Sequence, residues 1–247
     1  SVVSSSNHVY QVFLSAADRV KALAALKTAT NIDAYDNEHT YQLDPDFLPL
    51  NLRQNGKVAN SVSPTSTSPN DPRYAEQWNF QMVGAEAAWK RSRGTGVVVA
   101  VIDTGVSGTS SGKGQACRDF GSTTFTAGYD FVNRDTDPYD DHGHGTHVAG
   151  TIAEATNNSE GVAGLAYGAT IMPLKVLSAS GSGTSADIAD AIRWAADKGA
   201  NVINMSLGSS FPDAVIRSAC TYASKKGVVI VAAAGNSGKQ GVGYPAA

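Results

Sequence analysis

The sequence predicts an α/β fold: a parallel sheet with helices on both faces, preceded by a small α+β piece. Three observations carry this. Short continuous apolar runs, such as "GVVVAVI" at 96–102, alternate with stretches whose apolar residues recur at helical spacing, and strands without polar alternation are those covered on both faces. The helical stretches stop at glycine, at Gly199 and Gly227. A polar stretch without periodicity, residues 48–72, separates the first 47 residues from the rest.

In chain order, "HVYQVFL" alternates like a strand. "SAADRVKALAALK" reads as a helix with a capping box from Ser15 to Asp18 and a stripe of Val20, Leu23 and Leu26, and "NIDAYDNEHTYQL" as a second extended segment. A βαβ piece of about 45 residues holds little core of its own and is expected to lean on the remainder. The stretch 48–72, "LPLNLRQNGKVANSVSPTSTSPNDP", is the linker, and its polar, extended character suits proteolysis. Beyond it come "VVVAVI" (strand), "THVAGTIAEA" (helix), "TIMPLKVL" (strand) and "SADIADAIRWAADKG" (helix, stripe Ile188, Ile192, Ala195). "ANVINMSL" (strand), "DAVIRSACTYASKKG" (helix) and "VVIVAAA" (strand) complete the alternation.

Composition excludes several classes. The 247 residues carry a net charge of −3, are 42% hydrophobic and 17% charged, and fit neither a disordered nor a fibrous chain. Nineteen lysines and arginines without basic runs leave no footprint of nucleic-acid binding. The longest apolar runs, "GVVVAVI" and "GVVIVAAAG", fall far short of the ~20 residues of a spanning helix, so no membrane partner is expected. Cys117 and Cys220 match no zinc spacing, and the sequence leaves open whether they are bridged or free. Residue 1 is serine and no signal-peptide pattern precedes it, so a trimmed amino terminus is expected.

In open parallel sheets, ligands sit at the carboxyl ends of the strands. Asp103 ends "VVVAVI" and opens the turn "DTG". By itself it reads equally as a turn aspartate bonding local N–H groups. The stretch "DHGHGTHVAG" (141–150) allows three readings. His144 and His147 lie three apart, but the glutamate of an "HExxH" metal motif is absent; the histidines are otherwise solvent-facing helix starters, or one of them is a base oriented by the strand-end carboxylate.

"VIDTGV" at 101–106, "GHGTHVAGTIA" at 143–153 and "AAAGN" at 232–236, in this order, resemble the signatures of the subtilisin-like serine proteases. The similarity runs from about Pro69 to the last residue, with "SPNDPRYAEQWNFQMVGAEAAW" close to the mature start of the thermitase-like subtilases. The resemblance implies a secreted endopeptidase acting on protein or peptide substrates. Asp103 becomes the orienting carboxylate, His144 the general base and Asn236 the side-chain donor of the oxyanion hole, with His147 a structural neighbour and His142 outside the motif. "SGSGT" and "SLGS" match the segments that bind the substrate backbone as added strands, here Gly181, Ser182, Gly183 and Ser206, Leu207, Gly208. Glycine there admits close approach of an extended peptide.

The family places its serine downstream of "AAAGN", in a "GTSMA" helix start, and no such motif follows here. Ser110 in "SGTSSG" and Ser185 in "SGTSAD" lack the order and the trailing residues. The expectation is therefore a protease part inactive by itself and completed by a complementary C-terminal fragment carrying the serine. A degenerate subtilase-like binding module, a truncated form and a histidine-based metal hydrolase are the competing readings. The first piece resembles the later half of a subtilase propeptide, a ferredoxin-like inhibitor and chaperone whose tail occupies the active site. The division expected is 1–47 partial propeptide, 48–70 linker with the maturation cleavage region, and 71–247 the N-terminal part of the catalytic domain.

Calcium is the cofactor implied. Asp130, Asp135 and Asp137, beside Tyr139, are spaced as an oxygen-rich loop and align with a thermitase-like calcium site. "EATNNSEGVAGLA" resembles the family's other calcium loop, with Thr156, Asn158, Glu160 and Val162, and with Asp71 reaching in from the start of the catalytic part. Asp119 lies in a region that departs from the family pattern and is a further candidate.

Overall fold

The computed structural model describes residues 2–4, 10–30, 32–43, 68–108, 111–236, 238 and 241–247. Most of the expected linker, and Ser110, fall outside these residues.

A six-stranded parallel sheet organises the molecule. Its strands are β4 (Val98–Asp103), β5 (Thr124–Phe125), β6 (Tyr129–Asp130), β7 (Thr170–Lys175), β9 (Val202–Met205) and β10 (Val229–Ala232). They lie in the order β10, β9, β4, β7, β5, with β6 also pairing β7. The central strand β4 shows why its run is apolar throughout. Ala100 and Ile102 face one core with Met172, Leu174 and Ile203, packed under α5 (Ser185–Asp197) and α6 (Ala214–Lys225) through Ile188, Ile192 and Ile216. Val99 and Val101 face the other core with Ile171, under α4 (His144–Ala153) through Ala149 and Ala153. Successive side chains point to opposite faces and each face meets a helix, so β4 is buried from Val99 to Asp103.

Caps set the helix starts. Thr184 accepts from Asp187 N (3.2 Å) to open α5, and Asp213 accepts from Val215 N (2.9 Å) and Ile216 N (3.0 Å) to open α6, each cap being worth about 1 kcal/mol. The helix expected over 146–155 begins two residues earlier, at His144. Gly143, at φ 102°, turns the chain into it, so the histidine sits in the first turn facing the sheet. The aromatic cluster of Tyr74, Phe80 and Trp89 fixes residues 71–89 on the 163–167 segment, helped by Gln77, which donates to Ala163 O (2.8 Å) and accepts from Ala163 N (2.8 Å).

The amino-terminal piece departs from a closed βαβ unit. β1 (Val2–Ser4) and β2 (Tyr10–Val12) form an antiparallel pair, and α1 (Ala16–Leu26) follows, capped by Ser15 as expected. The last strand, β3 (Thr40–Gln42), pairs instead with β8 (Ser182–Thr184) of the main body. A chain segment this short finds its backbone partners where an unpaired edge already stands.

Candidate active site

Asp103 ends β4 wholly buried, and His144 opens α4 at 8% exposure. His144 Nδ1 lies 2.7 Å from Asp103 Oδ1, which also accepts from Thr104 N at 2.7 Å. This proximity requires glycine at 145: a Cβ there would stand 2.1 Å from the Gly105 carbonyl oxygen and 3.2 Å from Asp103 Cβ.

The surrounding network was not singled out from sequence. Asp140, buried, holds the whole turn. Its Oδ1 accepts from Thr104 Oγ1 (2.8 Å), His142 N (3.0 Å) and Gly143 N (2.8 Å), while its Oδ2 accepts from Thr146 N (2.9 Å) and Thr146 Oγ1 (2.6 Å). Thr104 Oγ1 in turn accepts from Gly145 N (2.9 Å). Lys175, the one charge in "TIMPLKVL", pairs in register with Asp103. Its buried ammonium donates to Thr104 O (2.7 Å), Leu177 O (2.8 Å) and Asp141 Oδ1 (2.6 Å). A charge inside an apolar strand was the available signal, because a buried ammonium requires several acceptors. These bonds fix both the strand end and the helix start, so the Asp103–His144 contact is preorganised.

The other histidines play lesser parts. His142 stands edge-on to His144, with ring centroids 6.4 Å apart. His147 lies on the outer side of α4. Desolvation and the charge of His144 pull its imidazole below the ordinary value, against the opposing pull of Asp103. Asn236 sits in an exposed bend beyond β10, at the same carboxyl edge of the sheet.

The two glycine-rich segments bracket an extended strand of the chain itself. β3 runs antiparallel to β8 with Tyr41 opposite Gly183 and Gln42 opposite Ser182. Leu43 N donates to Gly181 O (3.0 Å), and on the other side Gln42 and Gly208 exchange N–H···O bonds of 3.3 and 3.4 Å. Gly183 lies so close to Val176 that a Cβ would meet its carbonyl oxygen at 2.1 Å. Ser206 accepts from Asn204 Nδ2 (3.0 Å), and Leu207 is buried in the core. Tyr41, fully buried, has joined that core, and burial, then the charge of Asp213, pushes its phenol far above the ordinary value. Asp36 accepts from Ala214 N (3.1 Å) at the start of α6, and His39 N donates to Ser185 Oγ (3.2 Å).

The two oxygen-rich loops differ. Asp71 and Asp119 are buried and converge on the 156–162 loop. Asp71 accepts from Asn157 N (2.8 Å) and Asn158 N (3.2 Å), and Asp119 from Asn158 Nδ2 (2.8 Å) and Val162 N (2.9 Å). Burial, then the charges of Asp119 and Asp71, pushes the nearby Glu154 carboxyl up to about 7. Thr156 Oγ1 is engaged with its own loop, accepting from Gly164 N (2.9 Å), and Glu160 turns outward to Arg118 (3.2 Å). Of the expected set, then, Asp71, Asn158 and Val162 come together with Asp119, while Thr156 and Glu160 are used elsewhere.

At the second loop Asp130 and Asp135 do approach each other, but Lys113 stands between them. Its Nζ is 3.5 Å from Asp130 Oδ2 and 3.0 Å from Asp135 Oδ2, and it donates to Asp137 O at 2.9 Å. Desolvation lowers the lysine's pKa, but the Asp135 hydrogen bond and the charges of Asp130, Asp135 and Asp137 outweigh it, and the net shift is upward. As these residues stand, with the ammonium among them, they do not fit a divalent ion. Among the described residues no cluster of three or more His, Cys, Asp or Glu is arranged as a metal-binding group. Both cysteines are free thiols. Cys117 lies 3.9 Å from Glu154 Oε1, and burial pushes the Cys220 thiol up to about 11.

Comparison with known proteins accords with this arrangement. Residues 94–247 match the model of the subtilase family, Peptidase_S8. The chain is 43% identical over 180 residues to thermitase of Thermoactinomyces vulgaris, covering 72% of this chain and 62% of thermitase. It is 45% identical over 181 residues to the thermophilic serine proteinase of Bacillus sp. strain AK1, covering 72% of this chain and 43% of that protein. Among solved structures, a protease of Pseudoalteromonas arctica PAMC 21717 superposes with a TM-score of 0.60 at 36% identity, covering 68% of this chain and 59% of that one. The chain thus spans less than two thirds of the length of each of these relatives, and within that span it belongs to the subtilase family.

Proposed function

We propose that the chain is part of a secreted serine endopeptidase precursor that hydrolyses peptide bonds through an Asp-His-Ser triad. The observation that carries the reading is the buried 2.7 Å contact of Asp103 with His144 at the carboxyl edge of a parallel sheet. In this role His144 Nδ1–H donates to the Asp103 carboxylate, which fixes the tautomer and stabilises the imidazolium once Nε2 has taken the nucleophile's proton. Asn236 meets the negative oxygen of the tetrahedral intermediate. Loss of such a donor costs about 10²–10³ in turnover, a magnitude that itself comes from a subtilisin.

The serine of the triad is not among these 247 residues; a complementary fragment carrying it would complete the triad, and this chain alone is inactive. Ser185 supports this by its engagement, since its buried hydroxyl accepts from His39 N. Val229 and Val231, exposed on β10 at the end of the sheet order, are an apolar surface on which such a fragment packs.

Residues 1–47 act as a partial inhibitory propeptide, 48–70 as the linker cut on maturation, and 71–247 as the first part of the catalytic domain. What supports the inhibitory role is the pairing of Thr40–Leu43 with Gly181–Thr184 on one side and with Gly208 on the other, as an extended substrate would pair. Calcium suits the first loop, where Asp71, Asp119 and Asn158 with the Val162 carbonyl would hold it and where it would supply charge compensation.

The test adds a subtilase segment carrying "GTSMA" to the chain and measures peptide hydrolysis. Activity should be lost to a serine-directed phosphonate, should survive a zinc-selective chelator, and should fall at least ~10⁴-fold in His144→Ala. The reverse inhibitor pattern, or no hydrolysis with the segment present, would sink the reading. Tyr41→Ala should shorten the lag before activity appears, by weakening the seated strand.

A further inference from the structure

The Asp130–Asp137 loop is closed on itself by Asp130 N donating to Asp135 O (2.9 Å) and Asp135 N to Asp130 O (3.1 Å). That closure turns two carboxylates and the Asp137 carbonyl toward one point. Asp130 is wholly buried, with Asn133 N (2.8 Å) and Asn133 Nδ2 (2.7 Å) on its oxygens. Asp135 accepts from Asp137 N (2.8 Å). The point itself is occupied from outside the loop, by an ammonium 2.9–3.5 Å from oxygens of all three residues.

The lysine arrives on a turn of its own. Ser111 and Gly114 exchange backbone bonds of 2.9 and 3.2 Å, and Ser111 Oγ accepts from Lys113 N (3.1 Å). Gly114 is pressed on Tyr139, where a Cβ would stand 2.0 Å from the phenol oxygen, so a larger residue at 114 would require the tyrosine side chain to shift. We propose that Lys113 is the loop's built-in cation: its ammonium does what a bound divalent ion does in an oxygen-lined loop, and removing it opens a calcium site at Asp130, Asp135 and Asp137.

The chemistry of the two cations supports an exclusive choice. An ammonium offers three donors at hydrogen-bond distance, whereas calcium draws the same kinds of oxygen to ~2.3–2.6 Å, so the two cannot share the point. One positive charge against two carboxylates leaves the loop negative, and calcium would neutralise it. The tethered charge is present at any calcium concentration, so the loop stays closed in media that would strip a metal.

The experiment is a calcium titration of the full chain by calorimetry, with thermal melts in chelator and in millimolar calcium. Lys113→Met should bind one calcium more than the parent and should melt lower in chelator, with calcium restoring the loss. Lys113→Arg should keep the parent's stoichiometry. In the parent, Asp135→Asn should leave calcium stoichiometry unchanged. An unaltered stoichiometry in Lys113→Met, or a calcium lost from the parent on Asp135→Asn, would overturn the proposal; the second arm holds even where Lys113→Met fails to fold.

Discussion

The loop at 156–162 and the loop at 130–137 hold the same kinds of oxygen donor, yet their charges are met differently. In the first, Asp71 and Asp119 accept from backbone and amide N–H groups, and burial, then the charges of Asp119 and Asp71, pushes the neighbouring Glu154 carboxyl up to about 7. In the second, a lysine from a separate turn sits among the carboxylates. Acidic spacing in a sequence therefore reports a place for positive charge. Whether a metal or a side chain fills it depends on what the rest of the chain brings there.

The largest expected effect is at the first loop. Asp71→Ala leaves Asn157 N and Asn158 N without their acceptor, a loss of about 2–3 kcal/mol, which at 2–4 °C per kcal/mol lowers the melting temperature by roughly 5–10 °C. If calcium binds there as proposed, the parent should gain about 2.7 kcal/mol at a hundredfold excess over Kd, and Asp71→Ala should abolish that gain. A parent whose melt ignores calcium would break the contrast. Lys113→Met comes next. Its pair is partly exposed, so the loss in chelator is about 1 kcal/mol, read as roughly 2–4 °C.

A pH series gives a reference outside both loops. The imidazole of His147 is held below its ordinary 6.5 by desolvation and the charge of His144, so the native state takes the proton less readily than the unfolded chain. Its contribution is intact above 6.5 and is lost as pH falls through the lowered native value. His147→Gln should flatten the stability profile below the ordinary value of 6.5 without altering either calcium response. The smallest effect belongs to Arg118→Gln. It removes a surface pair with Glu160 (3.2 Å, arginine side chain 87% exposed) and should shift the melt by about 1 °C or less.

The sheet was legible because its signal is local. The run "VVVAVI" and the stripe of Ile188, Ile192 and Ala195 state burial on two faces and on one, and β4 and α5 occupy those environments. Asp103 and His144 were legible through chain order and the strand-end rule. Asp140 and Thr104 were not, because their value lies in reaching across 36 residues to hold one turn, a contact that no spacing encodes. The amino-terminal segment was half legible. α1 announced itself through Ser15 and Asp18, but nothing in "HTYQL" told which edge it would join.

The sequence by itself determined the α/β alternation, the helix caps and the order Asp103, His144, Asn236, since these follow from propensity, periodicity and motif order along a short stretch of chain. Tertiary structure alone decided that Tyr41 would be buried between two glycine-rich segments, that Lys175 would brace the strand end, and that Lys113 would stand where an ion was expected. Those outcomes depend on which distant groups meet when the cores close, and a charge finds its partner only in that geometry.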